Sequence, residues 1–178
     1  RHGYNKVVLE LRTLKKPVIG KINGVAAGAG LGIALATDLR IMSEQASLAP
    51  AFIGIGLAPD SGVSWFMQQL LGPTKAFELL ATGQKVNAGE ARKLGLVNQV
   101  GPATDLDSTV NSLAQQLALG PTKGIGLTKR VLNKAASASL ADTLEYEAEV
   151  QDLATQTADH QEGLAAFLEK RKPGFTGN

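Results

Sequence analysis

Apolar positions along this chain change rhythm several times, and the changes mark its elements. Tyr4, Val7, Val8, Leu11 and Leu14 recur at helical spacing, with Lys6, Glu10 and Arg12 facing outward, so a helix is expected over residues 4–14. Pro17 punctuates, and the apolar stretch from Val18 to Ile22 reads as a buried strand. It feeds a turn carrying Gly24, Gly28, Gly30 and Gly32, from which Leu31, Ile33, Ala34 and Leu35 continue as an apolar helix. Asp38 to Ser43 reads as a second short strand and Ala46 to Leu48 as a third. The stretch from Phe52 to Gly62 is apolar and glycine-rich and ends in Pro-Asp-Ser-Gly, a turn signal. Helices are expected over Ser64 to Leu71, closed by Gly72-Pro73, and over Thr74 to Thr82. Asn87 with Glu90 three residues on resembles a capping box for a helix through Lys93, and Leu96 to Val100 reads as a strand.

From Asp105 onward the period is helical almost throughout. Leu106, Val110, Leu113 and Leu117 form one stripe, and Ile125, Leu127, Val131 and Leu132 another. Ser139 caps a helix carrying Leu140, Leu144, Ala148 and Val150, and His160 to Arg171 forms a last one before Pro173. Strands alternating with helices, then a helical C-terminal third, place the chain in the α/β class with a helical extension.

Composition narrows this picture. A chain of 178 residues is one domain, or one domain with an appended segment. Apolar content of 44% and charged content of 19% are ordinary for a globular protein, whereas 20 glycines and only 4% aromatics suit helices packed closely on a sheet. The absence of cysteine excludes disulfides, thiolate metal sites and a cysteine nucleophile, and fits a cytoplasmic location. A net charge of +2, carried on scattered basic residues, gives no footprint for nucleic acid. No apolar run approaches the ~20 residues of a membrane span. The chain opens Arg1-His-Gly-Tyr, with neither Met nor a signal-peptide pattern, as though in mid-domain.

The glycine turn has two readings. Interior glycine costs a helix about 0.5–1 kcal/mol per position, which is offset if the turn holds an oxyanion at the exposed N–H groups of the helix start. Alternatively, the glycines only let the helix pack tightly. The spacing is not G-x-G-x-x-G, and no G-x-x-x-x-G-K-[ST] phosphate loop occurs. His2 and His160 sit in polar surroundings and read as solvated. There is no nucleophile elbow for a Ser-His-Asp triad and no local spacing for a metal. Asp60 follows Leu57-Ala58-Pro59 and precedes Ser61-Gly62. It is either the N-cap of the next helix or a carboxylate made a usable general base by apolar burial. Asp38 reads as a structural hydrogen-bonding residue.

Taken together, Asn23-Gly-Val-Ala-Ala-Gly-Ala-Gly30 with Asp38, Gly54-Ile-Gly-Leu-Ala-Pro-Asp-Ser-Gly62, Leu71-Gly-Pro-Thr-Lys-Ala-Phe-Glu-Leu79, Ala91-Arg-Lys-Leu-Gly-Leu-Val97 and Phe167-Leu-Glu-Lys-Arg-Lys-Pro173 resemble the crotonase family of enoyl-CoA hydratases and isomerases. The resemblance covers essentially the whole chain. It implies a crotonase-like spiral of ββα units over residues 1–118 and a helical trimerisation and CoA-covering region over 119–178. The expected assembly is a homotrimer or hexamer. It further implies that the N-terminal part of the core, with one of two oxyanion-hole donors, lies upstream of Arg1.

The same resemblance assigns roles. The N–H of Ala29 becomes an oxyanion donor to the thioester carbonyl of an acyl-CoA, with Gly28 and Val25 beside it. Hydratases of this family carry two glutamates that fall at Gly32 and Phe52 here, so hydration is disfavoured. Asp60 takes the place of the carboxylate used by several isomerases. Isomerisation of an enoyl-CoA or of an epoxyphenylacetyl-CoA thioester, as in phenylacetate breakdown, is the expected activity. The alternatives are a hydratase and a non-catalytic assembly member of the fold. Phe52, Leu57 and Trp65 either line an acyl pocket or are plain core. Phe167 and Lys170 of a neighbouring subunit either touch the CoA nucleotide or are solvated. No cofactor is expected beyond the CoA of the substrate.

Overall fold

The computed structural model describes residues 3–178, so His2 lies outside the described residues. The chain divides into two compact units. One holds the first helix through Arg12 together with Val18–Val110, and the other holds Thr13–Pro17 and Asn111–Asn178. The division therefore falls at Val110–Asn111, inside a helix.

In the first unit, α1 (Tyr4–Thr13) precedes β1 (Ile19–Ile22), β2 (Val25–Ala27) and α2 (Ala29–Ala36). Next come β3 (Leu39–Ser43), β4 (Ser47–Ala49), a 3-10 turn at Ile53–Ile55 and α3 (Val63–Thr82). The unit continues with β5 (Val86–Asn87), α4 (Ala88–Lys93), β6 (Gln99–Gly101) and the start of α5 (Leu106–Ala118). Strands β1, β3 and β6 form one parallel sheet in the order β1-β3-β6, with Ile22 opposite Met42. Strands β2, β4 and β5 form a second, in which β2 is parallel and β5 antiparallel to β4. The chain thus steps from the first sheet to the second and then into a helix, twice over. These are the expected ββα units.

Two short strands escape the hydrophobic pattern. β2 lies inside the stretch read as a glycine turn, and β5 has only two residues, too few to display period-2 alternation. β6 begins three residues later than expected. Leu96 and Val97 are buried, but the N–H of Leu96 donates to Ala91 O at 2.9 Å and closes α4 instead of pairing in a sheet. In α3 the backbone of Gly72 is left-handed (φ 74°) ahead of Pro73, so two helical stretches meet at a kink where a break was expected.

Leu31, Leu35, Met42, Leu48, Met67, Leu79 and Leu96 form the centre of the core. The C-terminal end of α2 is anchored by charge. Asp38 accepts from Arg12 at 3.1 Å and from the Val18 N–H at 2.8 Å, which is the structural role expected of it. The buried Arg40 guanidinium donates to Leu35 O, Thr37 O and Leu96 O at 3.2, 2.6 and 2.6 Å. A cation there suits the negative end of the helix dipole. Burial, then the nearby Arg12, lowers the Arg40 pKa, while Asp38 raises it.

The second unit contains the rest of α5 with α6 (Thr122–Ala135), α7 (Leu140–Thr155) and α8 (Ala158–Leu168). Ser139 caps α7 by accepting from the Asp142 N–H at 3.1 Å. Thr157 caps α8 by accepting from the His160 N–H at 3.0 Å. The terminal residues fold back on α8. Asp159 accepts from the N–H groups of Thr176 and Gly177 at 2.7 and 2.9 Å, and Glu162 accepts from that of Gly174 at 2.7 Å. Among the described residues, no helix is long and apolar enough to cross a membrane.

Candidate active site

Helix α2 begins at a backbone that only glycine adopts with ease: Gly28, its N-cap, has φ 51° and ψ −123°. The Gly28 N–H donates to Ala49 O at 3.1 Å, which ties the turn to β4. Its carbonyl accepts from Leu31 and Gly32 at 3.0 and 3.3 Å. No side chain caps this end. The N–H of Ala29, first residue of the helix, has no acceptor one turn back, so it points outward with the positive end of the helix dipole. A carbonyl oxygen that gains negative charge during reaction is stabilised by such a donor.

The Pro59-Asp60-Ser61-Gly62 loop is seated on the same helix. A Cβ added to Gly32 would lie 2.8 Å from Ser61 Cβ and closer still to Ser61 O. Glycine at 32 is therefore required by close backbone approach. Ser61 and Gly62 both have positive φ, 52° and 81°, and the Val63 N–H donates to Asp60 O at 3.0 Å. Positive φ at both central residues is the condition of a type I′ turn. The turn points the Ser61 side chain inward, 3% exposed, and leaves Asp60 exposed. Ser61 Oγ donates to Asp60 Oδ1 at 2.9 Å.

Two expectations for Asp60 need correction. It does not cap α3: Gly62 is the N-cap, and no side chain bonds there. Nor is it buried among apolar groups, because the turn leaves it exposed, and Ile55 and Leu57 earlier in the same stretch are themselves 76% and 55% exposed.

The remaining expected residues separate. Phe52 is buried core, with its ring 3.9 Å from where a Gly28 Cβ would be. Val25 is exposed on β2, and Trp65 is half-exposed with its ring edge-on to Phe66 at 5.1 Å. A groove of about 320 Å3 beside α2 is lined by Val25, Ala26, Gly30, Ile33 and Ala34 among others. Asp60, Phe52, Leu57 and Trp65 are not among its lining residues. Phe167 lies exposed at the end of α8, and Lys170 stands just beyond it with φ 54°. Both belong to the second unit. His160 is exposed on α8, as expected. Among the described residues no three His, Asp or Glu side chains cluster as metal ligands would.

Ser61, which contacts both Asp60 and Gly32, was not singled out by the sequence. Its only signal was its place between Asp60 and Gly62, because a positive φ at serine leaves no mark on the hydrophobic pattern.

Comparison with known proteins places these features in a family. The enoyl-CoA hydratase/isomerase family model matches residues 1–178. The chain is 41% identical over 174 residues to 1,2-epoxyphenylacetyl-CoA isomerase of Escherichia coli, a match covering 98% of this chain and 66% of that protein. It is 33% identical to short-chain-enoyl-CoA hydratase of Clostridium acetobutylicum, covering 94% of this chain and 64% of the relative. The crystal structure of enoyl-CoA hydratase from Bacillus anthracis superimposes with a TM-score of 0.94 at 32% identity, covering 98% of this chain and 68% of that one. The chain spans about two thirds of the length of the curated relatives it matches. The spiral of ββα units described above is the fold these proteins share.

Proposed function

Because the chain belongs to the enoyl-CoA hydratase/isomerase family, we propose that it serves an acyl-CoA isomerase in which Asp60 is the single acid–base group. The observation that carries this reading is the contact of Gly32 with Ser61. It seats the Asp60 loop on the oxyanion helix and fills the space that a side chain at position 32 would need. A glutamate there would have to displace backbone, and one at Phe52 would sit in the apolar core. Asp60 is the carboxylate that remains.

The thioester carbonyl of an acyl-CoA accepts from the Ala29 N–H, with Gly28 and Val25 flanking it. The Asp60 carboxylate takes the proton from C2 of a 3-enoyl thioester; the C2–H electron pair moves into the C1–C2 bond and the carbonyl π pair onto oxygen. The C3–C4 π electrons and the carbonyl share the resulting charge as a dienolate, whose oxygen the N–H stabilises. Protonated Asp60 then returns the proton to C4, leaving the double bond between C2 and C3. No atom is gained or lost, so one carboxylate suffices. The rearrangement of a ring epoxide on a phenylacetyl thioester draws on the same held carbonyl, and the 41% identity to the epoxyphenylacetyl-CoA isomerase supports including it. Leu57 and Trp65 offer exposed apolar surface for the acyl or ring portion, and Phe167 and Lys170 of a neighbouring subunit are assigned to the CoA nucleotide. The proposed assembly is a homotrimer or hexamer, and CoA enters only as part of the substrate.

The test is a substrate comparison on the full chain: isomerisation of a 3-enoyl-CoA and of epoxyphenylacetyl-CoA against hydration of a 2-enoyl-CoA. Isomerisation with at most trace hydration is expected. Efficient hydration would favour the hydratase reading, which the 33% identity to a short-chain hydratase keeps in view. Binding without turnover of any of the three would favour a non-catalytic member.

A further inference from the structure

We infer that Ser61 is the positioning residue of this proton transfer, holding the Asp60 carboxylate in register with α2; the inference rests on the reading of Asp60 as acid–base group. Ser61 occupies a left-handed backbone (φ 52°), a conformation that glycine or asparagine adopts at less cost than serine. A serine kept there has a local cost that the surrounding structure must offset, and such outliers point to function. Its side chain is 3% exposed, and the partner of this buried hydroxyl is the exposed carboxylate of the preceding residue, at 2.9 Å. Its backbone meanwhile rests against Gly32. Ser61 therefore touches α2 with its main chain and Asp60 with its hydroxyl.

That pairing fixes which oxygen reacts. With Oδ1 accepting from Ser61 Oγ, Oδ2 is the oxygen left to take up and return the substrate proton, and the serine keeps its own. An exposed carboxylate without this tether samples several rotamers, and misplacement of a catalytic group by about 1 Å costs on the order of 100-fold in rate. Gly32 supports the arrangement from below, because any side chain there would lift Ser61 away from the helix.

The experiment compares Ser61→Gly and Ser61→Ala, with Asp60→Asn in parallel, by melting temperature and by kcat and KM for 3-enoyl-CoA isomerisation. Both serine variants lose the hydroxyl, but glycine relieves the backbone strain and alanine keeps it. The melting temperature of the glycine variant should therefore exceed that of the alanine variant. Both should lose kcat equally, about tenfold, the size of one hydrogen bond to a charged group, with KM unchanged. A kcat that follows the melting temperature instead, or that stays at the wild-type value in both variants while Asp60→Asn is inactive, overturns the positioning role and leaves Asp60 standing. An active Asp60→Asn variant overturns the underlying reading itself.

Discussion

A Cβ at position 32 would meet backbone, and backbone yields far less readily than a side-chain tip. Gly32→Ala is expected to destabilise the chain by about 1–3 kcal/mol, the usual cost of overpacking, as read from urea unfolding. Gly32→Glu should be more destabilising still and should bring no hydration of 2-enoyl-CoA, since the carboxylate would arrive only by displacing the Asp60 loop. Ser47 presents the opposite case. Its buried Oγ has no partner among the described residues, so Ser47→Ala removes an unsatisfied polar group and should leave stability unchanged or raise it by about 1 kcal/mol. At this scale the sequence was half legible. Asp60 stood out by its apolar, glycine-flanked neighbours, but the same neighbours suggested a burial that the Ser61–Gly62 turn reverses. The glycines at 28 and 32 were visible as a cluster. Which of them answered to φ and which to crowding was not, because crowding depends on Ser61, 29 positions further on.

At the level of elements, the two ends of α2 differ: no side chain caps its N-terminus, and Arg40 fills its C-terminus. Arg40→Met would leave the carbonyls of Leu35, Thr37 and Leu96 without that donor. A loss of at least about 2 kcal/mol is expected, together with faster hydrogen exchange in α2. The end of α8 carries a pH-sensitive clamp. The Arg171 guanidinium, bonded to both Glu162 oxygens, and then the Gly174 N–H hold the Glu162 carboxyl down at about 2 from its ordinary 4.5. A carboxyl whose folded pKa is depressed contributes stability that is present above its unfolded pKa and is lost as pH falls through the folded one. Protection of the Gly174 amide should therefore be full at pH 7 and decline between about pH 4.5 and 2. Glu162→Gln should lower it at every pH. Among the described residues each α-helix was expected from the sequence, the longer ones from several turns of pattern and α4 from its capping box. Periodicity missed β2 and β5 and displaced β6, because two- or three-residue strands are defined by partners distant in sequence. The caps at Asn87, Ser139 and Thr157 form with residues three positions ahead, so the bonds of the first two were readable locally.

For the whole molecule, the alternation of strands with helices was legible in local signals, whereas the ββα order came from the resemblance to the crotonase family, since β2 left no mark on the pattern. The division into units was less legible, since α5 runs across it and Thr13–Pro17 joins the later unit through contacts that local pattern cannot encode. The proposed trimer or hexamer predicts a solution mass of three or six chains by light scattering, and a monomer would contradict it. In the proposed reaction one carboxylate moves the proton of an acyl-CoA whose thioester is held at the start of α2. It is decided by kcat/KM for 3-enoyl-CoA isomerisation by Asp60→Asn beside the wild-type chain, with acyl-CoA binding measured on both. A fall of at least about 100-fold, the lower end of what acid–base groups contribute, with binding retained, is the expected result. Wild-type turnover in Asp60→Asn would rule this proton transfer out.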